Sequence, residues 1–487
     1  MLTAAVFSGC DGTVIATDGD VTPDKPVSAV QSATSLNIGC SADDSLNPYF
    51  MSTDLNTDLI SLVFEPLFYI DDSFCAINGL ALSYTQNGKT LTVKLDTSAA
   101  FSDGVQFSST DAVYSFNTAK ASGNYKNELA NITSAKATGA DTVVFTLASG
   151  YKNAADSLTF PIVKSSSAQD KESVPIGTGL YSFNMSGEVI KLNYNPYCRK
   201  PEPNIKTINV VEIPSSSTLI HTLELGTIDA YFDDLSSGSY SRASAATSKT
   251  NLSNLVFLGM NCYSYGLSTA AFRQAIYYAI NRQSIVKNSF KKYAVESYTP
   301  YHPEWHVLAE SGYDTSSLTL DYSKAQALLK KAGFAGTVNL NLVVYSGNSF
   351  KVAAAKEIQA SLKNIGINVN IMELTWDNYN LALAGGGYDL YIGEIKLPTD
   401  MNMSSLFGSD SVIYGVSSGD TSAAAYSEYL NGNISLNAFT DSFLQNMPFA
   451  PICFRSGVLI YSNAITPAAD SDVNNVYKNI YEWNKVS

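Results

Sequence analysis

Histidine is scarce in this chain, and that limits the chemistry it could carry. Only His221, His302 and His306 occur among the 487 residues. Nucleophilic catalysis by serine or cysteine needs a positioned base, and none of these three stands in a recognisable arrangement with a nucleophile. The carboxylates show no acid–base pair at a familiar spacing either. The sequence therefore predicts no catalytic residue, and we do not expect an enzyme.

Two of the histidines have a spacing that could hold a metal ion. His302 and His306 are four residues apart, which would place them on one face of a helix. Pro303 follows His302 directly and favours an extended or turn conformation there instead. We therefore interpret the two histidines as an exposed pair or a pair at the rim of a cleft, and we expect neither a metal ion nor a cofactor.

Two further motifs resemble reactive or phosphate-binding loops. Ser102 and Asp103 precede Gly104, and a catalytic role is one interpretation of this Phe-Ser-Asp-Gly motif. A turn is the better one, because Gly104 permits the turn and Asp103 can accept bonds from its own loop. The glycine triplet at 385–387 lacks the spaced glycines and the lysine of a phosphate-binding loop. Both motifs therefore predict turns.

Charge and cysteine spacing exclude other classes of function. The net charge is −14, from 30 Lys and Arg against 44 Asp and Glu, and no basic patch is present for nucleic acid. Six cysteines occur without a C-x-x-C pair, so neither a zinc nor a redox spacing is found. We expect mostly buried thiols.

The N-terminal region predicts attachment to a membrane. A short apolar stretch and two small residues lead to Cys10, which resembles the end of a bacterial lipoprotein signal. We expect residues 1–10 to be the remnant of that signal and Cys10 to be lipidated. Residues 11–35 are rich in small and polar residues and predict a flexible stalk. This combination indicates an extracytoplasmic protein held at the outer face of the cytoplasmic membrane.

The first half of the remaining chain predicts mainly strands and turns. A helix beginning near Ser109 interrupts them. Alternating apolar residues or turn signals mark strands at 90–95, 141–147 and 189–194.

From about residue 268 the helical period predominates. Helices are predicted behind a cap at Ser268 or Thr269, behind Asp321, and over 350–364. Strands at 338–344 and 367–371 enclose the last of these, and a further strand follows at 388–392. The strand–helix–strand order predicts a right-handed crossover between parallel strands.

Motifs distributed along this region occur in the order of a known family. They are Leu46-Asn47-Pro48, Glu65-Pro66-Leu67, the segment 94–116 around Phe101-Ser102-Asp103-Gly104, Pro175-Ile176-Gly177-Thr178-Gly179-Leu180-Tyr181, Asn193-Tyr194-Asn195-Pro196-Tyr197, Leu225-Gly226-Thr227-Ile228-Asp229, the segment 272–282, the segment 322–329 and Ala332-Gly333-Phe334. With this set, the chain resembles the bacterial extracellular solute-binding proteins of family 5, the peptide and nickel receptors of ABC importers.

The resemblance implies an α/β fold, a two-lobed clamp like that of periplasmic binding proteins (type II, cluster C-like), with an extra β-rich inserted domain. We place the first lobe at 36–70, 172–265 and 445–487. The inserted domain would span 71–171 and the second lobe 266–444. The implied function is capture of a short peptide, or a related amine-bearing solute, between the lobes and its delivery to the membrane permease.

Alternatives to this function remain open. The same receptor fold could serve an oligosaccharide or a nickel chelate, or the chain could be a sensory or adhesion lipoprotein. In each case we expect a monomer.

The family also implies where a ligand would lie. In peptide-binding relatives an extended peptide pairs with a strand of the second lobe, and a carboxylate just beyond that strand holds its ammonium group. The family motif W-x-x-D-Y-x-D-P is replaced here by the segment 393–404, in which Glu394 and Asp400 are the candidate ammonium partners. Arg455 either faces a ligand carboxylate or forms a salt bridge at the hinge. Further candidates by family position are Asn47, Tyr49, Asn261, Tyr301 and Trp376.

Overall fold

A computed structural model describes residues 32–187, 189–240, 244–407, 411–416 and 420–486. Cys10 and residues 11–31 of the predicted stalk lie outside these ranges, so lipidation and the stalk stay predictions. Within the described ranges, none of the helices combines the length and the apolar character needed to span a bilayer.

Strands predominate in the first half of the described chain, and helices are more frequent in the second half. The strands are β1 Ser32–Ala33, β2 Ser35–Cys40, β3 Phe68–Ile70, β4 Ala76–Asn78, β5 Ala81–Asn87, β6 Thr90–Leu95, β7 Ile132–Ala137, β8 Thr142–Leu147, β9 Tyr181–Ser186, β10 Val189–Tyr194, β11 Thr207–Glu212, β12 Ala230–Asp233, β13 Ala246–Met260, β14 Ala294–Glu296, β15 Val338–Tyr345, β16 Ile367–Leu374, β17 Leu390–Lys396, β18 Phe449–Tyr461, β19 Ile465–Thr466 and β20 Asn484–Val486. The α-helices are α1 Asp54–Ile60, α2 Ser109–Ala121, α3 Leu219–Glu224, α4 Ala270–Ala279, α5 Arg282–Ser284, α6 His306–Ser311, α7 Tyr322–Lys331, α8 Ser349–Lys363, α9 Trp376–Gly385, α10 Ser422–Leu430 and α11 Leu436–Asn446.

One large mixed sheet runs through the molecule. Its order is β16-β15-β17-β13-β18-β12-β2-β11-β10-β9, and β14 pairs with β18 beside this path. β15 and β16 are parallel and enclose α8, which is the crossover that the strand–helix–strand pattern predicted. The β2 end of the sheet is built from early residues and the β15 end from late ones.

Two long antiparallel strands, β13 and β18, join these two ends. Their register shifts between Asn251 and Leu255 and again between Val256 and Phe257, so their regular pairing is interrupted near the middle of β13. The first half of β13 pairs with the last residues of β18, near β12, whereas its second half lies between β18 and β17. These two strands therefore connect the two ends of the large sheet.

A separate antiparallel sheet lies within residues 71–171. Its order is β5-β6-β8-β7, and α2 packs on it through buried Phe116, which meets Phe145 of β8 edge-on. At the start of α2 the Asp111 carboxylate accepts the backbone N–H of Ser108 at 3.0 Å, so the helix begins close to the predicted residue. These strands and this helix are the β-rich segment that the sequence indicated.

Helix caps and buried arginines stabilise the second half of the chain. Asp321 accepts the N–H of Lys324 at 2.8 Å, as predicted for the start of α7. Arg273 donates to the carbonyl of Met447 at 3.0 Å, and Arg282 donates to that of Pro451 at 2.8 Å. Both arginines therefore tie α4 and α5 to the chain as it enters β18. No disulfide links the cysteines of the described ranges.

Candidate functional site

A cavity lies where several distant parts of the chain meet, and we call it the cleft cavity. Its volume is about 290 Å³. It is lined by α1 and the residues that follow it, by residues 124–128 of the β-rich segment, by residues 396–399 after β17 and by residues 473–476. Ligand sites are typically concave and lie preferentially where separate units of a fold meet, as the walls of this cavity do. The cleft cavity is therefore the candidate ligand site.

Helix α1 presents a carboxylate to the cleft cavity. Thr53 caps the helix by accepting the N–H of Asn56, and Asp54 and Asp58 then lie one turn apart. Asp58 is 8% exposed and lines the cavity. Burial, and then the negative charges of Asp54 and Asp234, raise the pKa of Asp58 well above its usual range. Lys396 favours ionisation of this carboxyl group, but burial and the acidic neighbours outweigh it.

Glu128 supplies a second carboxylate from the opposite wall. Its Oε1 accepts the backbone N–H of Thr399 at 2.9 Å and also the Thr399 hydroxyl. The same hydroxyl reaches the carbonyl oxygen of Asp156. Burial raises the pKa of Glu128 to about 7, although the bonds from Thr399 and the charge of Lys396 oppose the shift. The segment after β17 is thus bound directly to the β-rich segment.

The sequence predicts Glu394 as a partner of a ligand ammonium group, and Arg455 either as a partner of a ligand carboxylate or as part of a salt bridge; the structure pairs the two residues with each other. Glu394 Oε1 accepts Nε of Arg455 at 2.5 Å, and its Oε2 lies 2.8 Å from Nζ of Lys351 on α8. Burial opposes ionisation of Glu394, but the two cations outweigh it and hold the pKa of the carboxyl below its usual range. Arg455 thus has the salt bridge of the second interpretation, and its guanidinium also donates to the carbonyl of Asp234.

Asp400 lies inside the protein rather than on a cavity wall. Its side chain is almost fully buried, and Oδ1 accepts the N–H of Asn402 at 2.9 Å. Its backbone carbonyl accepts the hydroxyl of Tyr151 from the β-rich segment. Burial, and then Glu128 and Asp156, raise the pKa of Asp400 well above its usual range. Asp400 therefore forms part of the contact between the loop after β17 and the β-rich segment.

The other residues predicted by family position have varied surroundings. Asn47 donates to the carbonyl of Asp170 at 2.8 Å, and the hydroxyl of Tyr49 donates to that of Pro161 at 2.6 Å. Asn261 donates to the carbonyl of Tyr388 at 3.0 Å and closes a turn. The remaining two are aromatic: Tyr301 is fully buried and stacks on Trp305, whereas Trp376 is 56% exposed and stacks on Tyr379. None of the eight predicted residues lines the cleft cavity.

The interpretation of the histidines as an exposed or rim pair is wrong for His302. His302 is fully buried between the rings of Phe74 and Phe454, and burial lowers its pKa to about 3. His306 begins α6, and its Nε2 lies 3.1 Å from Oδ2 of Asp156. As predicted, His302 beside Pro303 lies outside the helix that begins at His306. Whether each histidine is exposed depends instead on tertiary packing. Nowhere in the described ranges do three or more acidic, histidine or cysteine side chains form a group that could hold a metal ion.

Sequence reasoning missed the charged residues that line the cleft cavity: Asp58, Glu128 and Lys396. One signal was available for Asp58, because Asp54 and Asp58 stand at helical spacing directly after the Leu46-Asn47-Pro48 motif. Glu128 and Lys396 carry no such signal. They meet only because the β-rich segment folds against the end of β17.

The model of the bacterial extracellular solute-binding proteins, family 5 Middle, matches residues 76–412, which is more than half of the chain. The chain belongs to this family. The predicted resemblance and the α/β two-lobed clamp are thereby confirmed, and so is the prediction of a substrate-binding protein of an ABC transporter.

Named relatives bind different solutes. The oligopeptide-binding protein AppA of Bacillus subtilis is 24% identical over 415 residues, covering 77% of this chain and 75% of AppA. The nickel-binding periplasmic protein of Escherichia coli is 27% identical over 387 residues, covering 70% of each chain.

Among solved structures, the ABC transporter substrate-binding protein CtaP of Listeria monocytogenes has a TM-score of 0.74 at 18% identity. The match covers 94% of this chain and all of that one. At this identity the likeness shows the fold. The family and these relatives are binding proteins rather than enzymes.

Proposed function

We propose that this protein captures short peptides, or a related amine-bearing solute, and delivers them to the permease of an ABC importer. The observation that carries the proposal is the cleft cavity, which is bounded by segments from both predicted lobes and from the predicted inserted domain. Closing such a clamp around a ligand would bury the ligand between the walls. Opening it would release the ligand to the membrane partner.

The edge of β17 supports a peptide as the ligand. β15 pairs with β17 only at Leu390 and Tyr391, although β17 continues to Lys396. Along the described chain no strand pairs with the remainder of this edge, and the residues that follow it line the cleft cavity. A peptide added to the edge would gain backbone hydrogen bonds that do not depend on its side chains.

We place the limits of the clamp as the sequence suggests, with the first lobe at 36–70, 172–265 and 445–487, the inserted domain at 71–171 and the second lobe at 266–444. Support comes from β13 and β18, the two strands shared by both ends of the large sheet. Their register shift offers a place for bending. The protein would act as a monomer with one ligand between its lobes.

Thermal denaturation with a panel of solutes tests the proposed ligand. A ligand that binds only the folded state at one hundred times its Kd stabilises it by about 2.7 kcal/mol, which raises the melting temperature. We expect a rise with at least one peptide of two to six residues. A rise only with nickel–histidine or with an oligosaccharide would contradict a peptide ligand and would assign the clamp to that solute.

We also propose that the protein is extracytoplasmic and tethered to the outer face of the cytoplasmic membrane through lipidated Cys10. Support comes from the sequence around Cys10 and from the family, whose members are extracellular solute-binding proteins. In whole cells, labelled fatty acid should enter the native protein but not a Cys10→Ser variant. Equal labelling of both would contradict the anchor.

A further inference from the structure

The β-rich segment is attached to the second half of the chain at Asp156. The backbone carbonyl of Asp156 accepts the hydroxyl of Thr399, which follows β17. Its carboxylate lies against His306, with Oδ2 at 3.1 Å from Nε2 of the imidazole. The Asp156 side chain is only 3% exposed, whereas that of His306 is 21% exposed. One buried residue therefore contacts two separate parts of the later chain.

The Thr399 hydroxyl contacts two oxygen atoms but carries one hydrogen. It lies against Oε1 of Glu128 as well as against the carbonyl oxygen of Asp156. A hydroxyl can donate its hydrogen to only one of these oxygens. A proton on the Glu128 carboxyl group supplies the second hydrogen, and burial raises the pKa of Glu128 to about 7. Both hydrogen bonds are therefore complete only while Glu128 is protonated.

The contact at His306 also depends on a proton. Within the described ranges, His306 is the only cation that pairs with Asp156. Burial opposes protonation of His306, but the bond to Asp156 and the charges of Asp156 and Glu310 outweigh it and raise the pKa of the imidazole. When His306 releases its proton, Asp156 remains as a buried carboxylate without a counter-charge. Such a group destabilises the contact that buries it.

Other charged groups face these two contacts. Lys396 favours ionisation of Glu128, whereas Asp156 opposes it. The remaining neighbours are acidic or ionisable: Asp71, Glu310 and Asp400, with Cys75 and Tyr84. Release of the protons of Glu128 and His306 therefore adds negative charge to a region that is already rich in carboxyl groups.

We propose that Glu128, Asp156, His306 and Thr399 form a proton-dependent clasp between the β-rich segment and the later chain. The clasp is closed while Glu128 and His306 carry protons, and it loosens as pH rises and both release them. Residues 124–128 and 396–399 line the cleft cavity, so the clasp joins two of its walls. Its effect on a bound solute rests on the proposed function, whereas the clasp itself is tested without a ligand.

The direction of the pH dependence follows from the two pKa shifts, both of which are upward. The contribution of each group is therefore fully present below its ordinary pKa and is lost as pH rises through the folded value. For Glu128 the ordinary pKa is 4.5 and the folded value is about 7. A group with these values changes the equilibrium of local opening about tenfold between about pH 6 and about pH 8.

Hydrogen exchange of the full chain, measured by mass spectrometry without ligand, tests the clasp. The protection factors of the backbone amides at 396–403, corrected for the intrinsic effect of pH on exchange, should fall by about tenfold or more from about pH 6 to about pH 8. The double variant Glu128→Gln, His306→Gln should show a fall of less than about twofold, because glutamine does not titrate. His221→Gln, on an exposed histidine outside the clasp, is the matched control and should behave like wild type.

A titration of the imidazole resonances of wild type by NMR gives a second readout that does not depend on the double variant. His306 should titrate above the ordinary value of 6.5, and Asp156→Asn should lower its midpoint. A midpoint below 6.5 for every histidine, equal protection factors at both pH values in wild type, or an equal fall in the double variant would overturn the clasp. Each of these results would leave the proposed function standing. Absence of binding to any peptide of the thermal panel would instead contradict the proposed function and leave the clasp intact.

Discussion

Nε of Arg455 donates to Oε1 of Glu394 at 2.5 Å, across the strand β13 that lies between their two strands. Lys351 reaches the same carboxylate from α8 at 2.8 Å. The bridge ties β17, which leads to the cleft cavity, to β18, which lies at the centre of the large sheet. It therefore couples one wall of the cleft cavity to the strands that connect the two ends of this sheet.

Removal of Arg455 tests the cost of breaking this pair. Arg455→Met leaves Glu394 buried with only Lys351 beside it, so we expect a loss of about 3 kcal/mol in the free energy of unfolding. Urea denaturation measures it. Lys356→Met is the control, because the pair of Lys356 with Glu373 is largely exposed and should contribute less than about 1 kcal/mol. Equal effects of the two changes would contradict a structural role for the bridge.

The contact between Thr399 and Glu128 should protect the backbone amides of the loop after β17 from hydrogen exchange. Thr399→Val removes the hydroxyl that reaches both Glu128 and the carbonyl of Asp156, at a cost of about 1–3 kcal/mol. We expect faster hydrogen exchange of the backbone amides at 396–403, measured by mass spectrometry.

Thr133→Val is the control for that measurement. It removes an exposed hydroxyl that donates to the carbonyl of Thr146 at 2.9 Å and makes no bond to the loop. Exchange at 396–403 should stay as in wild type. Unchanged exchange in Thr399→Val as well would show that the loop is held by other contacts.

The raised pKa of the Glu128 carboxyl group should make the free energy of unfolding depend on pH. Burial raises its pKa from 4.5 to about 7 in the folded protein. Between these values the folded state keeps a proton that the unfolded chain has released. The contribution of Glu128 to stability is therefore fully present below its ordinary pKa and is lost as pH rises through about 7.

Glu128→Gln removes this dependence, because glutamine does not titrate. The fall in melting temperature between about pH 5 and about pH 8, measured without ligand, should be smaller in the variant than in wild type. A fall of equal size in both proteins would mean that the Glu128 carboxyl titrates near its ordinary value.

The packing around Gly259 leaves no room for a side chain. It pairs with Tyr391 across β13 and β17, and a Cβ at this glycine would lie 1.9 Å from the tyrosine ring. Gly259→Ala must therefore displace a buried ring, and we expect a loss of about 1–3 kcal/mol. Gly123→Ala meets no atom within 4 Å and should leave the melting temperature nearly unchanged.

Much of the fold could be predicted from the sequence, because local patterns carry it. Alternation at 90–95 gave a strand at the residues where β6 lies, and the apolar spacing from Phe272 gave α4 behind Thr269. The order of the family motifs along the sequence indicated the family. These signals are local in sequence, and short-range physics suffices to form them.

The charges of the site were decided by the tertiary structure. His302 is buried because Phe74 and Phe454, which are distant in the sequence, enclose it. Glu394 and Arg455 neutralise each other because β13 brings their strands to either side of it.

By itself the sequence determined several of the strands and helices, the family and the kind of protein. Only the tertiary structure brought Asp58, Glu128 and Lys396 to one cavity, since these residues are far apart in the chain and depend on how its segments pack. Side-chain charge acts through space, and distance in space is fixed only when the chain is folded.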